Sequence, residues 1–330
     1  SGSYGVACHA TWCIMRERST PAGLSSSSKV MPAIVARTAP DSSAIVTALM
    51  HVRHRTGTTT DVTIADESGA VRATIAGIRR RGYTPEAIRA FCDAVGVAKA
   101  NSQVEMSMLE YFVRDDLKER VESRMVILDP VKVVLTNYPE DQQEMLPVEN
   151  NMSVPEMGLR EVPFSRVLYI EREDFMEIPP KKYFRLYPGN EVRLKGAYFI
   201  TCTDVVKDAE GNITEILCTY DPATKSGSGF DERKPKGTIH WVDATSAVDI
   251  PVRQYGYLSY PDEETGKQVF DPESRQDVTA KAEPSIRKAA PGERFQFFRN
   301  GYYIADTVLS KEGAPVFNQI VGLKSSWKKG

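Results

Sequence analysis

Apolar residues recur along this chain with two different periods, and the change of period divides it. After Thr84, Pro85 and Glu86, which supply a side-chain cap, a first-position proline and an acid in the first turn, Ile88, Phe91, Cys92 and Val95 follow at helical spacing. Gly96 stands where that helix should end. A second helix carries Leu109, Phe112, Val113 and Leu117 in the same way. Beyond Arg124 the period falls to two, and residues 125–135, 164–170, 197–206, 214–220, 237–242, 252–258, 295–298, 302–305 and 316–321 read as strands. Short turns at 208–212 and 299–301 join several of them, and no helical crossover intervenes. The expected fold is therefore mainly β: a helical segment, then antiparallel barrels or sandwiches rather than a parallel sheet. The glycine-bearing loop 221–236 marks a boundary between two small barrels.

Residues 1–73 lack either period. A serine run at 25–28, a polar turn-like stretch at 56–60 and two short apolar segments, 44–50 and 61–64, predict an unassigned, poorly ordered, irregular segment. His51 and His54 share a helical spacing, but with no carboxylate or third ligand beside them they read as surface histidines.

Composition narrows the class. With 330 residues, 41% hydrophobic and 26% charged, the chain has core for about two domains. A net charge of -2 excludes a uniformly basic nucleic-acid coat, so any RNA contact must come from locally placed arginines. Five scattered cysteines, an odd number, exclude a disulfide framework and fit a reducing, cytoplasmic setting. Cys8, His9 and Cys13 lie close together without a second ligand pair, and no metal is expected. No apolar run is long enough to span a bilayer, and no signal-peptide order opens the chain.

The stretch with the most chemistry is 181–198, KKYFRLYPGNEVRLKGAY. Strand alternation there places Val192 and Leu194 on one face and Arg193 and Lys195 on the other, and the Pro188-Gly189 turn folds Arg185 back toward the same rim. Such a cluster suits phosphates and base edges, because a guanidinium donates in a planar fork. A solvated strand face is the competing reading.

Longer segments carry a resemblance. TIAGIRRRGYTPEAIRAFCDAVGV, DPVKVVLTNY, PEMGLREVPFS, KDAEGNITEILCTYD, GTIHWVDA and PVFNQIVGLKSSW, in that order over residues 74–330, resemble the C-terminal half of glutaminyl-tRNA synthetase (glutamine-tRNA ligase). That resemblance implies a helical connector at 74–123, a proximal β-barrel at 124–235 completed by 312–330, and a distal β-barrel at 236–311. Together they would grip the anticodon loop of tRNA(Gln), with no DNA or membrane partner and as a monomer. The archaeal and eukaryotic type of glutamyl-tRNA synthetase, which shares these barrels, and a stand-alone tRNA-binding protein remain alternatives. GIRRRGYTPEAIRAFC and PVFNQIVGL favour the glutaminyl side.

The resemblance also implies site residues. Arg185 stands where the family reads the last anticodon base, a guanine, with Phe184 in place of a basic residue. Arg193 matches an arginine contacting the anticodon region, Lys195 replaces a second arginine, and Lys182 stands where some members have glutamine. Gln296 and Arg299 match the glutamine and arginine that read the central uracil. Ser123 holds the place of a further arginine, with Arg124 beside it, and Ser153 replaces an asparagine. Tyr183 and Phe297 are candidate stacking surfaces, the latter also reading as barrel core. The full-length family uses ATP with Mg2+ through His-Ile-Gly-His and Met-Ser-Lys motifs. Neither motif occurs here, so the chain alone is expected to bind no cofactor and to be catalytically inactive.

Overall fold

The computed structural model describes residues 9–15, 33–37, 63–65, 71–96, 102–256, 259–261, 265, 268–271 and 273–324. The chain divides into two compact units, one of residues 1–117, 255–276 and 320–330, the other of 118–254 and 277–319.

In the first unit, β1 (His9–Met15), β2 (Ala33–Arg37) and β5 (Ser102–Glu105) form a sheet in the order β2-β1-β5, and β3 (Thr63–Ala65) pairs with β4 (Val71–Thr74). These strands account for the described part of residues 1–73. The serine run, Cys8, His51 and His54 lie outside the described residues. Two helices follow the expected signals, α2 (Pro85–Val95) and α3 (Met106–Lys118), and a short α1 (Ile75–Arg80), not read from the pattern, precedes them. Thr84 Oγ1 accepts the Ala87 N–H at 3.2 Å and donates to Asp116 at 2.7 Å, tying the α2 cap to α3. Gly96, at φ 70°, ends α2 with its N–H on the Cys92 carbonyl. Phe91 and Phe112 meet edge to face at 6.3 Å between the two helices. Arg81 lies over the Tyr255 ring at 4.1 Å, while Arg79 is exposed.

Two seven-stranded, barrel-like sheets fill the second unit, except that the ends of β17, β20 and β23 fall in residues counted with the first. The first runs β15 (Thr238–Ile239), β12 (Glu191–Leu194), β13 (Phe199–Lys207), β14 (Ile213–Asp221), β8 (Pro130–Leu135), β11 (Val167–Glu171), β16 (Val242–Asp243). The second runs β6 (Glu122–Arg124), β21 (Arg294–Phe297), β22 (Gly301–Ala305), β23 (Phe317–Gly322), β17 (Val248–Tyr255), β20 (Arg275–Ala282), β7 (Val126–Ile127). Neighbours joined by short turns pair antiparallel, as expected. Some strands distant in sequence pair parallel, β8 with β14 and β12 with β15 in the first sheet, β6 with β21 and β17 with β23 in the second, while β11 with β16 and β7 with β20 stay antiparallel. Asn137 fastens the β8–β14 seam, its amide bonding both the N–H and the carbonyl of Tyr220 at 2.9 Å.

The barrel seams differ from the boundaries read in the sequence. The first sheet is one continuous stretch, 130–243, and keeps β15 and β16 because Ile239 and Trp241 belong to its core, with Trp241 against Phe164 at 5.0 Å. The sheet completed from both ends is the second. Its β23, expected at 312–330 to close the first barrel, instead places Phe317 against Phe295 and Phe297 at 6.1 and 5.1 Å. A hairpin of β9 (Glu144–Glu149) and β10 (Leu159–Phe164) was not read from the pattern, since Pro147 and Pro163 interrupt it.

Candidate nucleic-acid interface

The seam between the two barrel-like sheets brings together two of the residues singled out in the sequence, Arg185 and Arg299. β11 ends at Glu171, and the 3-10 turn Arg172–Asp174 that follows directs the Asp174 carboxylate inward, where it is fully buried. The β21–β22 hairpin of the other sheet arrives with Arg299 at its tip. Arg299 donates from Nη1 to Asp174 Oδ2 at 2.5 Å and from Nη2 to Oδ1 at 2.7 Å. Burial lowers its pKa, but the bond to Asp174 and the acids nearby outweigh that, so Arg299 is held more firmly protonated than a free arginine.

The imidazole of His240 completes the tip. His240 Nε2 is 3.0 Å from the Val126 carbonyl oxygen, which can only accept, so Nε2 carries the proton and Nδ1 accepts from Arg299 Nη1 at 3.2 Å. Beneath it Glu171 accepts the N–H groups of Leu128 and Asp129 at 2.9 and 3.0 Å and the Asn300 amide at 2.9 Å. Burial pushes the Glu171 pKa up; His240 and the two backbone donors more than reverse this, leaving it lowered.

Arg185 approaches the same carboxylate from the segment that leads into β12. Its Nη1 bonds the Glu173 carbonyl and carboxylate at 3.0 and 2.9 Å and lies 3.3 Å from Asp174 Oδ1. The segment is held in register by Leu186 N–H on the Asp174 carbonyl and by Asn190 Nδ2 on the Arg185 carbonyl. Gly237 runs so close that any Cβ there would collide with the Phe184 carbonyl oxygen. Tyr183 donates to the Glu173 carbonyl at 3.0 Å; burial and then the Asp174 charge push its phenol up to about 12.

The remaining expected residues separate. Lys182 is exposed at a turn with φ 68°. Gln296 is half-buried on β21, and its amide has no hydrogen-bond partner among the described residues. Arg193 lies over the Phe199 ring at 4.7 Å. Lys195 falls in the turn after β12 rather than on the strand, bound to Glu149 at 2.6 Å and 5.8 Å from the Phe298 ring. Arg124 is consumed by structure: it pairs with Glu122, lies 3.7 Å from the buried Glu283 and covers the Phe295 ring at 5.0 Å. Phe297 is core, stacked on Tyr303 at 4.1 Å. Asp174, Glu171, His240 and Asn300 were missed in the sequence. Asp174 sits in an ordinary acidic run, and its partner Arg299 is 125 residues away.

Chemically, the seam offers two arginines held from behind, each with donors left over. That arrangement can present planar forks to acceptors on base edges.

Comparison with known proteins bears on what those forks meet. Residues 123–221 and 238–306 match two family models, each described as the anti-codon binding domain of tRNA synthetases class I (E and Q). The chain is 54% identical over 260 residues to a glutamine-tRNA ligase of Clostridium perfringens, covering 77% of this chain and 47% of that protein. It is 52% identical over 261 residues to that of Clostridium kluyveri, with the same coverage, and 52% over 262 residues to that of Cupriavidus necator, covering 78% of this chain and 45% of that protein. The chain spans about half the length of the curated relatives it matches.

Proposed function

We propose that this chain, which over residues 123–221 and 238–306 belongs to the anticodon-binding family of the class I (E and Q) tRNA synthetases, reads the anticodon loop of a glutamine tRNA. The protein it forms part of then joins glutamine to that tRNA with ATP and Mg2+. The same reading assigns it to translation in the cytoplasm and to a monomer. Among the described residues no group of His, Cys, Asp or Glu is placed to hold a metal ion, and no step of ATP chemistry is assigned to them.

The observation that carries the reading is the convergence of Arg185, from the segment that leads into β12, and Arg299, from the β21–β22 hairpin, on Asp174. Single-stranded anticodon bases are splayed out and read on their edges. Arg185 presents its fork to the two acceptors of the guanine at the last position, O6 and N7. Arg299 and the free amide of Gln296 meet the central uracil. Lys182, exposed on its turn, together with Arg193 and Lys195 beside the rings of Phe199 and Phe298, contributes charge along the backbone and aromatic surface next to it. Arg124 acts behind them as a support.

The test is Arg185→Ala in a fluorescence-anisotropy titration with anticodon stem-loops. Affinity should fall about ten-fold or more for RNA with guanine at the last position and little for RNA altered there. An equal fall for all RNAs would reduce Arg185 to a phosphate contact.

A further inference from the structure

We infer that Asp174 is a shared positioning residue that sets both Arg185 and Arg299 and thereby couples recognition of two adjacent anticodon bases, an inference that rests on the reading proposed above. One fully buried carboxylate receives both guanidinium groups, and its Oδ1 is common to them, 2.7 Å from Arg299 Nη2 and 3.3 Å from Arg185 Nη1. Two cations stand this close only because a negative charge lies between them; without it they would repel each other across a poorly solvated seam.

The way each arginine is gripped matters as much as the fact of it. Of the five N–H groups of Arg299, two go to Asp174 and one to His240 Nδ1, which leaves Nε and the outer hydrogen of Nη2. Those two lie side by side on one edge of the plane. Arg185 is held through Nη1 alone, by Glu173 and Asp174, and its Nε and Nη2 form the same unspent edge. Asp174 thus takes the inner side of both groups and turns the outer two-donor fork of each away from itself. The pair are half-exposed, 35% for Arg185 and 25% for Arg299, while the Asp174 carboxylate they share is fully buried.

The backbone carries a matching sign of selection. Arg299 has φ 66°, a conformation an L side chain adopts at a cost and glycine adopts freely. A turn that needed only to reverse the chain would be served by glycine, so the strain goes with keeping this guanidinium on Asp174.

The coupling has a direction. If Arg299 is removed, both Asp174 oxygens become free to draw Arg185 inward, away from its base. Loss of the arginine that reads the central base should therefore also blunt discrimination at the last base.

The experiment measures stem-loop affinities for the wild-type chain, Asp174→Asn and Arg299→Ala, each against RNA with the glutamine anticodon, RNA altered at the central base and RNA altered at the last base. Thermal unfolding is followed in parallel. Wild type should discriminate by about ten-fold at each position. If it does not, the proposed function fails, and the coupling with it. Given wild-type discrimination, Asp174→Asn should lose it at both positions while keeping the affinity common to all RNAs. Retained discrimination at either position would overturn the inference. Should Asp174→Asn not fold, Arg299→Ala decides: diminished discrimination at the last base supports the coupling, and unchanged discrimination there refutes it.

Discussion

Glu283 shows, at the scale of one residue, how much of this molecule rests on buried charge. It is 2% exposed, accepts the Met125 N–H at 2.9 Å and the Arg160 fork at 2.7 and 2.8 Å, and is bonded by Ser285. Burial pushes its pKa up, and Arg160 with these donors brings it net below the ordinary value. A carboxylate depressed in the folded state adds stability above its unfolded pKa, about 4.3, and that stability is lost as pH falls through the folded pKa. The melting temperature of wild type should therefore drop in acid from that pH downward. Glu283→Gln should melt lower at neutral pH, since breaking a buried pair costs about 3–5 kcal/mol, and should show a flatter acid limb. An identical acid limb in both would contradict the assignment. Single residues of this kind were the least legible in the sequence. Arg299 and Arg124 were singled out because a resemblance carried them, and Arg185 by the pattern around it as well. Alternation along β6 gives no hint of a partner at Glu283, far along the chain.

At the scale of elements, the segment bearing Arg185 is positioned by the chain that crosses behind it. Arg193 N–H bonds the Gly237 carbonyl at 2.9 Å, and β12 pairs parallel with β15 just beyond. Gly237→Ala would force backbone against backbone at Phe184, with a cost of about 1–3 kcal/mol. Discrimination at the last anticodon base should fall with it, while discrimination at the central base, which the proposed function assigns to the β21–β22 hairpin, changes less. Paired melting and stem-loop titrations check this; equal loss at both bases would mean that the variant disturbs the whole seam. Elements with strong local signals were legible. The caps of α2 and the aromatic alternation of β21 and β22 each announce themselves within a few residues. β20 (Arg275–Ala282) was not read, because it begins with exposed polar residues and buries only Ala280 and Ala282 at its end. The parallel seams were equally hidden, since they join strands that no local pattern relates.

For the whole molecule, the net charge of -2 sets the terms. An acidic chain gains little from general attraction to phosphates, so affinity must come from a few held cations and from the bases they face. The described residues agree: Arg185 and Arg299 on Asp174, Lys195 on Glu149, and Arg233 on Glu191 and Asp221 are all paired with acids that restrain them. Fold class was legible at this scale because nine period-two segments without helical crossovers leave few architectures open. Which strand closes which sheet was decided by core packing around Trp241 and Phe317, which periodicity does not report. The most direct test of the central claim, that the two sheets together read an anticodon, is a titration of the chain at fixed moderate salt. One hairpin carries the glutamine anticodon, and the other is the same hairpin altered at the central uracil. A preference of about ten-fold or more for the intact anticodon is the expected result. Equal and strongly salt-dependent binding of the two would contradict it.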